Sequence, residues 1–486
     1  MIDKLKQLTK DTAVYGISTI LGRFLNFVLT PFYTQVFPPS EFGIFSNVYA
    51  YIALLNIFFI YGMDSAYLKY AATGDEEKKK DVFSTPFLTV VISSVVLSGI
   101  MLLFKGPVSV LFRLPEHYSY FLYYVAAILS VDAICSLPFI SLRLERKSKQ
   151  FALFKITNIV INVICNFVLI YKYRMGIEAI FISNLIASVA ALLLLLPSIS
   201  KQFVCRIDYL LLKKFFVFGI PYLPAGIASQ IVQVIDRPIM ELLTNMKMVG
   251  IYQANYKLGI FMMLFVSMFQ YAWQPFFLTN SKEANAKELF AKVLTYFTIA
   301  GSIILVVLSL YIGDLVRIQI PFFHRPLIHP SYWSGLVIVP VVLFGYLFNG
   351  IYVNLSAGLY IEEKSIYAPI TVGIGAAVNV IVNFALIPVM GMMGAAIATF
   401  ASYFIMAISI YVITQRFYKI NYELKKIASI MVSIFITGGI FYYMDSINKL
   451  NQPVKAGLLL LFFVLLYVLR VINKQEIFAV KKMMRI

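Results

Sequence analysis

The stretch Asn162-Val163-Ile164-Cys165-Asn166-Phe167-Val168-Leu169-Ile170 returns 217 residues later as Asn379-Val380-Ile381-Val382-Asn383-Phe384-Ala385-Leu386-Ile387. Both copies carry two asparagines four residues apart, which shares one face of a helix, and both are followed by glycine: Gly176 in one, Gly391 and Gly394 in the other. A second echo links Phe42-Gly43-Ile44-Phe45 to Val249-Gly250-Ile251-Tyr252 at an offset of 207. Offsets near half of a 486-residue chain indicate an internal duplication. The chain is 60% hydrophobic and only 13% charged, and a duplicated chain of that character reads as a membrane transporter built from two like lobes.

Mean hydropathy of +0.84 excludes a soluble fold of this length. The formal charge of +18 would suggest a nucleic-acid partner in a soluble chain. Here the basic residues lie between apolar windows and no basic domain stands outside them, so the partner they suit is anionic lipid, not nucleic acid. Cys135, Cys165 and Cys205 are scattered, without pairing or metal-ligand spacing, and read as small packing residues. Lys4, Lys6 and Lys10 precede an apolar stretch that Arg23, Asn26 and Pro31 interrupt and that has no small-residue cleavage site; it reads as a retained first span.

Fourteen apolar windows of about 20 residues follow one another, from 11–35 to 455–472. With the N-terminus inside, Lys and Arg of the inner segments outnumber those of the outer ones roughly three to one, which places both termini in the cytoplasm. The expected fold is therefore an all-α membrane protein with about 14 transmembrane helices. Helices 1–6 (residues 1–200) form an N-terminal lobe and helices 7–12 (201–418) a C-terminal lobe. Helices 13–14 and a cytoplasmic tail (419–486) are appended. Six spans per repeat give both lobes the same orientation, with a central cavity between them.

Ionisable groups deep in a span are costly and mark cavities or partners. Gly16, Thr19, Arg23, Asn26 and Thr30 form one polar stripe on helix 1. Arg23 lies about 12 residues in, roughly 18 Å deep. Two accounts of it compete: an ion pair with Asp132 of helix 4, or an anion-binding group in a wet cavity. Helix 7 repeats the stripe with Gly226, Ser229, Gln230, Gln233 and Arg237, beside Asp236. Arg237 is near the outer end, where snorkelling or pairing with Asp236 competes with ligand contact. Gln253, Tyr256 and Lys257 follow on helix 8, Lys257 roughly 12 Å deep with no acid one turn away. Asp64 ends helix 2 at the inner edge, as a solvated or structural charge. Asn158, Asn162 and Asn166, like Asn379 and Asn383, read first as interhelical hydrogen-bonding residues. Tyr222, Tyr252 and Tyr256 either pack or stack on sugar rings.

Asp236-Arg237, Gly250-Ile251-Tyr252, Trp273-Gln274-Pro275-Phe276 and the run from Asn379 to Ser402 resemble the polysaccharide flippases. These are the Wzx-like branch of the multidrug/oligosaccharidyl-lipid/polysaccharide exporter superfamily. The resemblance covers nearly the whole chain; its motifs are moderately specific for the superfamily and weakly so for a substrate. It implies a bacterial plasma-membrane flippase that moves an undecaprenyl-pyrophosphate-linked oligosaccharide (an O-antigen, capsule or exopolysaccharide repeat unit) by alternating access. It further implies coupling to a proton or sodium gradient, no cofactor, and other glycan-assembly proteins as neighbours. Related flippases use an Arg on the first helix, and Arg23 matches in kind. The residues agree with this reading, because Arg and Lys suit a pyrophosphate.

The candidate cavity set is Arg23, Asn26, Gln233, Arg237, Gln253, Tyr256 and Lys257. Asp132, Asp236 and Asp64 are the structural or coupling acids, with no metal ligands and no catalytic group. A multidrug or cation exporter, or a peptidoglycan lipid-precursor flippase of the same superfamily, is the rival within transporters. A glycan polymerase or ligase is the rival among enzymes. It would need acidic or His groups on a sizeable outer loop, where this chain offers His324-Arg325 to His329 with Asp314 at the edge.

Overall fold

Proline and asparagine set the ends of several spans. Pro39 opens helix α1 (Pro39–Ile60) from an extended Pro38, where a missing N–H costs nothing, with Glu41 in the first turn. Asn245 caps Met246–Tyr256 by accepting from Met248 N at 3.0 Å. Asn451 caps Gln452–Val468 in the same way, at 3.1 Å to Val454 N. In the computed structural model these helices dominate the chain, which is described over residues 16, 20, 22, 24, 25, 27–73, 79–320, 325–447 and 449–471.

Among the described residues, 12 helices are long and apolar enough to cross a membrane, and Gln452–Val468 is a shorter apolar helix of 17 residues. The protein is thus a multi-pass, all-α membrane protein. Its described strands are the two-residue pair Gln319–Ile320 and Arg325–Pro326. Of the expected first span, residues 27–36 are helical and most of the rest lies outside the described residues. The window read as 249–276 is a longer element, Met246–Asn280, whose α-helix gives way to a 3-10 turn at Lys257–Gly259.

The helices that carry the argument below are α2 (Phe121–Leu144), α3 (Ser148–Phe167), α4 (Glu178–Gln202), α5 (Leu223–Val234), α6 (Asp236–Leu243), α7 (Met246–Tyr256) and α8 (Ile260–Asn280). The chain forms two compact units. The first comprises 1–257, 331–333 and 372–399; the second comprises 258–330, 334–371 and 400–486.

Within the first unit, α1 and α7 cross at the paired glycines of the shorter repeat. A Cβ on Gly43 would stand 1.8 Å from the Met246 carbonyl oxygen, and one on Gly250 would stand 1.8 Å from that of Pro39. Each glycine thus lies on the carbonyl four residues before the other, a reciprocal contact that admits no side chain. Phe42 and Tyr252, both fully buried, are among the largest side chains packed in this unit. Tyr332 joins them, its ring 5.6 Å from that of Phe42 and its hydroxyl donating to Phe37 O at 2.7 Å.

The second unit is built around Trp273, Phe277, Phe290 and Tyr418. The Trp273 indole donates to Asn354 O at 3.3 Å. Lys455 is tied to Asp314 at 2.6 Å, and Thr295 donates to Glu423 at 2.7 Å.

Candidate functional site

Asp236 and Arg237 are 3% and 6% exposed, and buried charge of this kind persists only where it is paired and hydrogen-bonded. They open α6, directly after α5 ends at Val234, and α7 runs beside them. Arg237 Nη1 lies 3.6 Å from Asp236 Oδ1 and donates to Gln233 O at 2.7 Å. Its Nε donates to Gln253 Oε1 at 2.6 Å, and the guanidinium sits 5.2 Å from the centre of the Tyr256 ring. Asp236 Oδ1 accepts from Arg237 N at 3.0 Å, while its Oδ2 accepts from the Tyr252 hydroxyl.

Five of the residues read from sequence therefore come together: Gln233, Asp236, Arg237, Gln253 and Tyr256. Lys257 follows at the 3-10 turn, its Nζ 5.7 Å from the centre of the Phe42 ring. No carboxylate of the described residues comes within ion-pair distance of it. With one acid and two bases, the cluster carries net positive charge. Tyr252, which sequence left between packing and sugar stacking, is wholly buried and serves Asp236.

Asp132 belongs to a different network of the same unit. Ser188 of α4 donates to its Oδ1 at 2.6 Å and lies 3.4 Å from Asn184, which donates to the Tyr49 hydroxyl at 2.8 Å. Asp64 accepts from Ser65 N at 2.7 Å at the start of Met63–Thr73. Arg23 and Asn26 lie outside the described residues.

The asparagine stripes differ from their first reading: they bond mainly within their own helices. Asn166 Nδ2 donates to Asn162 O and Oδ1 at 2.8 and 3.1 Å; Asn383 Nδ2 donates to Asn379 O and Oδ1 at 2.8 and 2.9 Å. One bond crosses helices, Tyr33 to Asn166 Oδ1 at 2.9 Å. Asn383 Oδ1 and Asn379 Nδ2 are buried without partners.

Sequence reasoning missed Tyr49, Asn184 and Ser188, since isolated hydroxyls and amides in apolar helices carry no periodic signal. It also missed Arg113, whose Nε lies 3.2 Å from Glu241 of α6. Burial pushes the Glu241 carboxyl above its ordinary value, and Arg113 offsets part of that.

The sequence profile of the polysaccharide biosynthesis protein family matches residues 8–281. An uncharacterised membrane protein of Methanocaldococcus jannaschii is 23% identical, over 96% of this chain and 97% of its own. A lipid II flippase, MurJ, in an inward closed conformation is similar in structure with a TM-score of 0.73 at 18% identity, covering 96% of this chain and 100% of that one. An inward-facing multidrug-resistance transporter of the MATE family gives 0.63 at 13%, over 81% and 94%. The chain belongs to the polysaccharide biosynthesis protein family.

Proposed function

We propose that this transporter is a flippase for a polyprenyl-diphosphate-linked saccharide, working by alternating access in a bacterial plasma membrane. The observation that carries the reading is the charge of the cluster on α6 and α7. Arg237 is neutralised by Asp236, and Lys257 remains as a cation in a membrane-spanning element with no acid of the described residues beside it. Such a group suits a diphosphate and repels a cationic drug. Arg23, Asn26, Gln233, Gln253 and Tyr256 are proposed to share the cargo, with Arg23 holding the diphosphate bidentately.

The comparisons weigh on which saccharide it is. A peptidoglycan lipid precursor is supported by a likeness to the lipid II flippase that runs end to end in both chains. An O-antigen, capsule or exopolysaccharide repeat unit is supported by the family's description and by the residues that resemble Wzx-like flippases. The first support is the stronger. A multidrug exporter is the third reading, with lower structural likeness and the wrong local charge. Asp132, Asp236 and Asp64 are the candidates for coupling to a proton or sodium gradient.

We further propose fourteen spans with both termini in the cytoplasm. Reporter fusions after Lys201 and after Gln319 then report inside and outside respectively; the reverse at either site overturns that topology. Two conditional strains test the cargo, one depleted of its lipid II flippase and one lacking its O-antigen flippase. Rescue of growth in the first supports the peptidoglycan precursor, rescue of surface glycan in the second supports the repeat unit, and rescue of neither contradicts the reading.

A further inference from the structure

Two buried asparagines hold matching connections in the two copies. Asn47 of α1 donates from Nδ2 to Phe112 O at 3.1 Å, and Asn255 of α7 donates from Nδ2 to Tyr332 O at 2.8 Å. They stand within one residue of the offset of the shorter repeat, and both are wholly buried. Each copy thus pins the connection that leads into its own fourth span. From there each connection reaches into the other copy. The Tyr332 hydroxyl donates to Phe37 O of the first copy at 2.7 Å, and Arg113 Nε lies 3.2 Å from Glu241 of α6 in the second. All of these residues belong to the first compact unit.

The two reaches differ in chemistry. Tyr332 is wholly buried against Phe42, and its bond joins neutral groups, which cost their full desolvation if parted inside the protein. The Arg113 side chain is 46% exposed, so its ion pair with Glu241 exchanges readily with water. The arm that presents Arg113 is itself well fixed. Tyr51 of α1 stacks on Phe112 with 4.4 Å between ring centres and donates to Leu111 O at 2.9 Å. Arg113 ends the short helix Lys105–Leu111 and its turn in a left-handed conformation, with a φ of 53° that a non-glycine residue seldom takes. Its N donates to Val110 O, and Leu114 N donates to Ser109 O, both at 3.0 Å. A charge held out on a fixed arm, opposite a carboxylate of the other copy, is suited to close and part without refolding either side.

We propose that Arg113 and Glu241 form a releasable latch on the outer side: made, it holds the outer ends of the two copies closed over the cargo path, and parted, it lets them open. The latch biases that equilibrium only by the strength of the pair, which is made in one state and absent in the other. Tyr332 and Phe37 are its neutral counterpart. The inference rests on the alternating access and the topology proposed above.

The test uses the full-length protein in right-side-out vesicles. Ile239→Cys reports opening, because Ile239 lies two residues before Glu241 and is 4% exposed. Its labelling by a membrane-impermeant maleimide is read against the protein that keeps only its native cysteines. Arg113→Ala should speed that labelling about threefold to fivefold. Arg113→Glu combined with Glu241→Arg should return it to the starting rate, which a merely structural arginine would not do. Added salt should speed labelling with Arg113 present and leave Arg113→Ala unchanged. In a second arm, Arg113→Cys with Glu241→Cys is bridged by a bis-methanethiosulfonate linker. Translocation of a fluorescent polyprenyl-diphosphate saccharide should stop on bridging and resume when a reductant cleaves the linker. Labelling that Arg113→Ala leaves unchanged, or undiminished translocation by the bridged protein, overturns the latch and leaves the cargo reading intact. Failure of the wild type to move that lipid overturns the cargo reading instead, and the labelling then decides the latch alone.

Discussion

At the offset of the shorter repeat, Leu29, Thr30 and Ala50 of the first copy occupy the positions of Asp236, Arg237 and Lys257 in the second. Leu29 and Thr30 are as buried as their charged counterparts, so the two copies fill equivalent places with different chemistry. The joints are the same in both. Gly43 and Gly250 each receive the other's helix, and Asn166 and Asn383 each fold back on an asparagine four residues earlier. Even Tyr49 and Tyr256 correspond, but Tyr49 accepts from Asn184 in the Asp132 network while Tyr256 lies against Arg237. Residues that position backbone were kept after duplication, and residues that carry charge diverged. The difference assigns packing to what the copies share and cargo handling to what they do not.

The largest expected effect comes from breaking a shared joint. Gly43→Ala or Gly250→Ala puts a methyl into a carbonyl of the facing helix, at a cost of about 3 kcal/mol or more, because backbone cannot yield as a side chain can. Both variants should lose the monodisperse peak in size-exclusion chromatography to a similar degree, since the contact is reciprocal; loss in one alone would mean that the crossing is not shared.

Next is the buried pair that only the second copy has. Asp236→Ala strands Arg237 and should cost about 3–5 kcal/mol in thermal unfolding. Replacing both with the first copy's residues, Asp236→Leu with Arg237→Thr, should recover most of that stability and still fail to transport. A double variant that transports normally would deny the divergence its role.

Smaller again is Tyr33→Phe, which leaves the Asn166 Oδ1 without its donor and should cost about 1–3 kcal/mol. The second copy has Met240 at that position and an unpartnered Asn383 Oδ1, so Met240→Leu should cost less than about 1.5 kcal/mol. The smallest effect belongs to Arg113→Ala. Its bridge to Glu241 is half exposed and is worth about 1 kcal/mol or less. That loss should be present at pH 8 and vanish at pH 4, where protonation of Glu241 leaves no charge to pair.

Much of the scaffold was legible in sequence because it rests on long apolar windows and on motifs that recur. The Asn162 and Asn379 stretches and the paired glycines declared the duplication before any contact was known. The contacts themselves were not legible. Gly43 and Gly250 are similar in sequence for a reason that only the helix crossing reveals, and the asparagines read as interhelical bond most of their amides within their own helices. The cluster of Asp236, Arg237, Gln253 and Tyr256 was visible as polar residues at helical spacing on adjacent spans. Its internal pairing depended on the short α6, which apolar windows alone do not separate from α5.

The central claim is that the second copy's unpaired charge serves cargo rather than structure, and Lys257 tests it most directly because no acid of the described residues pairs with it. Lys257→Ala is measured in proteoliposomes by translocation of a fluorescent polyprenyl-diphosphate saccharide, alongside the thermal midpoint of the same preparation. The account predicts translocation reduced about tenfold or more with the midpoint nearly unchanged, the signature of a lost transport contact rather than a lost fold. Translocation at the wild-type rate would contradict it.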